Sequence, residues 1–237
     1  MLPIHFGARD KQLFGLYEEG HAPRRRMAVV ILSPIGWEHL RAHRTLRILS
    51  NRLAESGYDV LRFDYSGTGD SWGDMGQGLT LAQWIRDVEE AIEEVGGLSG
   101  STRVSLIGLR AGAAIAAEVA ARRPRGIEHV ILWDPPIVTT EVQTPTKIDR
   151  TPYTDVPDSR LRAELDALTV HTAATGRVRM HLAMSEHGHG VPEPLRAAVE
   201  EVVSVEGSPT CWIEEHDFGA GAVPTELLGR LVKALGE

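Results

Sequence analysis

Cysteine occurs once in these 237 residues, at Cys211, so no internal disulfide can form and the chain suits a reducing compartment. No apolar run approaches the ~18 residues that span a bilayer. The start, MLPIHFGARD, has no basic stretch leading into an apolar one, so neither a membrane span nor a secretory signal is expected. Basic excess is missing too: 25 Lys and Arg against 33 Asp and Glu give a net charge of −8, which argues against nucleic acid or an anionic membrane as the main partner. The one basic cluster, Arg24-Arg25-Arg26, reads as a solvated turn ahead of a strand. Internal repeats and low-complexity segments are absent. With 42% hydrophobic and 24% charged residues, what remains is an ordinary globular composition. The expectation is a single cytoplasmic α/β domain over 1–237, with a small-molecule partner, no cofactor, and a homodimer left open.

What is present is alternation. Short extended stretches near 3–6 and 13–18 can pair as a hairpin, and 27–32 is an apolar run suited to a buried strand. Residues 40–56 repeat apolar positions at helical spacing and stop at Gly57, and 59–63 read as the next strand. Thr80-Leu-Ala-Gln83 resembles a capping box opening a helix to about Val95. Strand 103–108, helix 111–122 and strand 128–133 follow. From Asp134 to about Gly176 the pattern breaks among five prolines, with one helix at 159–168. So long a segment with so little regular structure is most often a lid, here 135–176, after the sixth strand. Strand 177–184, helix 194–203, strand 210–214 and helix 225–235 complete the series. Such alternation predicts a mostly parallel sheet with helices on both faces.

One stretch carries the chemistry. In VSLIGLRAGAAIAAEVA, residues 104–120, a strand meets a helix through Gly108-Leu-Arg110-Ala-Gly112. This is the spacing of the nucleophile elbow G-x-S-x-G, with Arg110 at the serine position. Small flanking residues are needed there because the central residue turns sharply at the sheet's carboxyl edge. A second loop, FDYSGTGDSWG, includes Gly67-Thr-Gly69, but it does not open directly into a helix as a dinucleotide fingerprint must.

Together, Pro34-Ile-Gly36-Trp37-Glu38, Asp64…Gly67-Thr-Gly69-Asp70-Ser71, the elbow and Leu132-Trp-Asp134-Pro give a chain that resembles the α/β-hydrolase superfamily, of the serine-aminopeptidase-like type, from about residue 27 onward. More narrowly it resembles exosortase-associated hydrolase-like proteins, which also carry Gly-Leu-Arg at the elbow. The resemblance implies the α/β-hydrolase fold. It leaves the reaction open, because fold does not imply function.

The resemblance also implies where a triad would fall. Arg110 cannot form an acyl-enzyme: a guanidinium stays protonated and offers only donors. Cys211, in a later strand, reads as buried filler. His216, just after the expected last strand, is the candidate histidine. Asp134 at the end of the sixth strand is the first candidate to orient it, and Glu186 the second. His187 and His189 form an H-x-H pair with no third metal ligand at a recognised spacing, so no metal is expected. The Ala111 N–H and the segment around Gly36 and Trp37 supply the oxyanion side, while Glu38 and His39 either face the pocket or simply start a helix.

Two readings of Arg110 follow. As an anion site at a helix N-terminus, it would bind an acidic or acyl small molecule, with His216 performing acid–base chemistry without a covalent intermediate. Alternatively, Arg110 turns onto Glu38, Asp134 or another carboxylate and plugs the pocket, leaving a pseudoenzyme that binds or interacts.

Overall fold

The computed structural model describes residues 1–76, 78–122, 125–136, 156–167, 178–185, 193–205, 207–210, 212 and 222–236. Its strands are β1 (Leu2–Phe6), β2 (Leu13–Glu18), β3 (Ala28–Leu32), β4 (Asp59–Phe63), β5 (Val104–Leu109), β6 (Ile127–Trp133), β7 (Arg179–Met184) and β8 (Glu201–Ser204). They form one sheet in the order β1-β2-β4-β3-β5-β6-β7-β8. The β1–β2 hairpin pairs antiparallel and joins β4 antiparallel; every later pairing is parallel. This is the α/β-hydrolase fold.

The strands alternate between two cores, as a period of two requires. Val30, Leu106 and Leu132 face α2 (Leu81–Ser99) and α3 (Ala111–Arg122), in a core shared with Trp84 and Ile115. Ile31, Leu109, Ile131 and Trp133 face the other way, into the core with Leu46, Leu49 and Leu53 of α1 (Gly36–Glu55) and Leu227, Leu228 and Leu231 of α6 (Thr225–Ala234). Both faces of the parallel strands are therefore dry, which is why they read as continuous apolar runs.

Element ends depart from expectation in physically readable ways. Helix α1 begins at Gly36 rather than residue 40, so Glu38 stands in its first turn, where the helix dipole favours an acid. Helix α2 opens as expected, with the Thr80 hydroxyl accepting the Gln83 N–H at 3.2 Å. It then runs through Gly96-Gly97 to Ser99, because the left-handed turn that stops it is at Gly100.

The C-terminal third carries the main correction. In place of a helix over 194–203 there are a short α5 (Glu193–Ala198) and the edge strand β8, and of the expected strand 210–214 residues 211, 213 and 214 lie outside the described residues. Glu201-Val-Val-Ser204 pairs with His181–Met184 and buries Val203, so the β-branched pair forms strand, not helix. Thr210 and Trp212, the described members of the expected strand, have no strand pairing; Trp212 packs edge-on against Trp133 at 5.0 Å.

Of the expected lid 135–176, the described part centres on α4 (Ser159–Asp166), where residues 159–168 were expected helical. Leu161 and Leu165 bury against the α2 side, and the Glu164 carboxylate accepts the Leu81 N–H at 2.8 Å. The rest of 135–176, apart from residues 135–136 and 156–158 and Ala167, lies outside the described residues.

Candidate functional site

The turn from β5 into α3 packs backbone directly on backbone. A Cβ on Gly108 would lie 2.2 Å from the Gly112 carbonyl oxygen, and one on Gly112 would lie 2.3 Å from the Leu32 carbonyl oxygen. Both neighbours are backbone and cannot yield, so only glycine fits at either position. Between them Arg110 adopts φ 56°, in the left-handed region that costs a residue with a side chain roughly 1–2 kcal/mol. Backbone bonds hold it there: its N–H donates to the Trp133 carbonyl at 2.9 Å, and its carbonyl accepts the Ala113 N–H at 3.0 Å.

Asp134, the residue after β6, is the other described non-glycine residue with positive φ, at 41°. Its N–H donates to the Ala183 carbonyl at 2.8 Å, and its buried carboxylate accepts the Ser185 N–H at 2.7 Å. Two strained residues thus sit at the carboxyl ends of adjacent strands. Strain that the surroundings enforce in this way clusters at functional sites.

The Arg110 guanidinium folds back onto protein. Its Nε donates to Glu38 Oε1 at 3.0 Å, and its Nη1 donates to the Asp134 carbonyl oxygen at 3.2 Å. The two charged side chains are 12% and 15% exposed. Glu38 reaches the elbow because α1 starts early, directly after the loop through Ser33, Pro34 and Ile35. Gly36 turns with φ 60°, and Trp37 beside it is about half exposed.

Next to Glu38, His39 places Nε2 3.9 Å from Asp64 Oδ1. Burial lowers its pKa, against the opposing pull of Asp64 and of a hydrogen bond to Pro34. The loop after β4 is fastened from within: the Asp64 carboxylate accepts the Asp70 N–H at 3.1 Å, and Ser71 Oγ donates to the Asp64 carbonyl at 2.5 Å.

The structure therefore brings Arg110, Ala111, Gly36, Trp37, Glu38 and Asp134 to one edge of the sheet. His216, Cys211, Glu186, His187 and His189 lie outside the described residues. Among the described residues the last strand of the sheet is β8, and the expected placement of His216 just after a strand at 210–214 falls outside them. Among the described residues there is no group of three side chains suited to a metal, and no helix long and apolar enough to cross a membrane.

Residues 24–177 match the family model for serine aminopeptidase, S33, well over half the chain. The chain belongs to the serine aminopeptidase S33 family. Solved structures extend the likeness of this S33 chain over nearly all its length. An α/β serine hydrolase homologue from Coxiella burnetii is 17% identical, covering 99% of this chain and 97% of its own, with a TM-score of 0.65. Mouse α/β-hydrolase domain-containing protein 10 is 15% identical, covering 100% and 97%, at 0.65. Est1E from Butyrivibrio proteoclasticus, with ferulic acid bound, is 14% identical, covering 99% and 100%, at 0.64. At these identities the likeness is one of fold alone. No curated protein matches the S33 chain significantly in sequence.

Sequence reasoning missed two features of the molecule. A cavity of about 160 Å³ lies beside the β3–α1 segment, lined in part by Arg62, His43 and Asp64. Its signal was the arginine inside the buried strand DVLRF. The second is a buried pair, His129 and His181, stacked across β6 and β7 with ring nitrogens 3.1 Å apart.

Proposed function

We propose that this S33-family chain keeps the α/β-hydrolase scaffold without covalent serine hydrolysis, and that its elbow is a self-neutralised site serving binding rather than turnover. One observation carries the reading: the residue at the elbow is an arginine whose guanidinium is paired with Glu38 at 3.0 Å and capped by the Asp134 carbonyl at 3.2 Å. A protonated guanidinium has no lone pair for a carbonyl carbon, so no acyl-enzyme forms at residue 110. Glu38 comes from the segment that would frame the oxyanion side, and the ion pair ties that segment to the elbow. The Gly-Leu-Arg elbow shared with the exosortase-associated hydrolase-like branch agrees with this reading. With 4-nitrophenyl acetate, the wild-type protein is expected to release nitrophenol no faster than buffer. A burst followed by steady turnover, abolished in Arg110→Ala, would contradict it.

A second reading has its own support. Among the described residues Arg110 Nη2 makes no hydrogen bond, and the elbow opens α3, whose N-terminus favours negative charge. In this reading a small acidic or acyl molecule displaces Glu38, and His216, oriented by Asp134, moves a proton without a covalent intermediate. Glu38→Gln separates the two. A structural plug predicts lower thermal stability and unchanged affinity for succinate; an exchangeable site predicts succinate affinity raised about tenfold.

A further inference from the structure

Arg62 lies one residue from the carboxyl end of β4 and is 6% exposed. A guanidinium so buried ordinarily holds a carboxylate. Among the described residues its one hydrogen bond runs from Nη2 to Met1 Sδ at 3.6 Å, a weak acceptor, and its Nε has no partner. Glu18 and Asp64 favour its charge from a distance, but burial outweighs them and lowers its pKa.

This cation faces a cavity of about 160 Å³. Phe14, Leu16 and Leu46 give it apolar walls, and His39, His43, Asp64 and Asp70 line it as well. Asp64 follows Arg62 by two residues and so emerges on the same side of the β4 path, roughly 7 Å further along. The lining thus presents a cation, carboxylates flanked by the imidazoles of His39 and His43, then hydrocarbon. A simple anion would satisfy Arg62 and be repelled by the acids; a simple cation would do the reverse. A molecule carrying both charges satisfies each.

We infer that this cavity binds a small zwitterion with an apolar body, of the class of a free aliphatic amino acid. Its carboxylate pairs with Arg62, its ammonium with Asp64 and Asp70, and its side chain packs on Phe14, Leu16 and Leu46. A cavity of about 150 Å³ accommodates a benzene-sized body, which matches a branched four-carbon side chain. The site is separate from the elbow and does not depend on the reading of Arg110, although the two share the segment that carries Ser33 and His39.

Titration calorimetry on the full chain tests it with three probes: L-leucine, 4-methylpentanoate (no ammonium) and 3-methylbutylamine (no carboxylate). Leucine is expected to bind saturably, and each single-charge analogue about tenfold or more weaker. Arg62→Met, which replaces the buried cation by an apolar side chain of similar length, should abolish leucine binding. Asp70→Asn, at an exposed position, should weaken leucine while leaving 4-methylpentanoate unchanged, and it serves if Arg62→Met does not fold. Arg110→Ala should leave leucine binding intact. The inference is overturned by absent leucine binding, by unchanged binding in Arg62→Met, by 4-methylpentanoate binding as tightly as leucine, or by loss of binding in Arg110→Ala.

Discussion

Arg110 shows how much one position can decide. Its φ of 56° is imposed by two glycines that cannot be anything else, so the turn survives whatever residue occupies its apex. The turn and its chemistry are therefore separable in mutants. Gly112→Ala drives a Cβ to within 2.3 Å of the Leu32 carbonyl and should cost about 3 kcal/mol or more, read as a lower urea midpoint. A wild-type midpoint would show that α3 can shift away from β3. Glu38→Gln strands a partly buried cation and should cost about 1–3 kcal/mol. The same change made in Arg110→Ala should cost much less, and a double-mutant cycle reads the coupling directly. The glycine spacing was legible in the sequence, and so were Glu38 and Asp134 as partners for Arg110. Which of the two offers its carboxylate was not: Asp134 gives Arg110 its carbonyl and spends its carboxylate on the Ser185 N–H.

Elements were legible where their signals are local. The Thr80 cap of α2 was readable because Ser/Thr-x-x-Glu/Gln is a short-range motif. Thr80→Ala should cost about 1 kcal/mol, seen as a fall in Tm, and an unchanged Tm would mean that the Glu164 bond to Leu81 holds the helix end without it. Strand β8 was not readable, because Glu200-Glu201-Val-Val scans as helix until β7 offers an edge to pair with. Pairing β7 with β6 also creates a buried histidine pair that no local pattern signals. Burial, with His181 and Arg179 nearby, depresses the His129 pKa to about 4, and burial lowers that of His181 against the pull of Glu200 and Glu201. Both rings are therefore neutral in the fold at neutral pH. As pH falls from about 6.5 towards 4, the unfolded chain takes up protons that the folded chain excludes, and stability drops across that window. In His129→Leu the difference between urea midpoints at pH 7 and pH 5 should shrink. An unchanged difference would assign the acid sensitivity in that window to groups other than this histidine pair.

At the scale of the whole molecule, two dry sheet faces fix the architecture, while the carboxyl edge carries the strained and charged groups of the candidate site. Arg110 and Asp134 hold strained backbone there, and the Arg62 cavity opens beside the same β3–α1 segment. The fold could be read from alternation and glycine spacing because apolar periodicity is a global signal repeated in every element. The site could be read only as a set of candidates, because side-chain pairing across elements depends on where each helix begins; α1 starting at Gly36 is what carries Glu38 to the elbow. The central claim is that a permanent cation stands where covalent catalysis would need a nucleophile. Intact-protein mass spectrometry after incubation with a fluorophosphonate tests it most directly. The account predicts an unmodified mass for the wild-type chain; a stoichiometric phosphonyl adduct on any serine would contradict it.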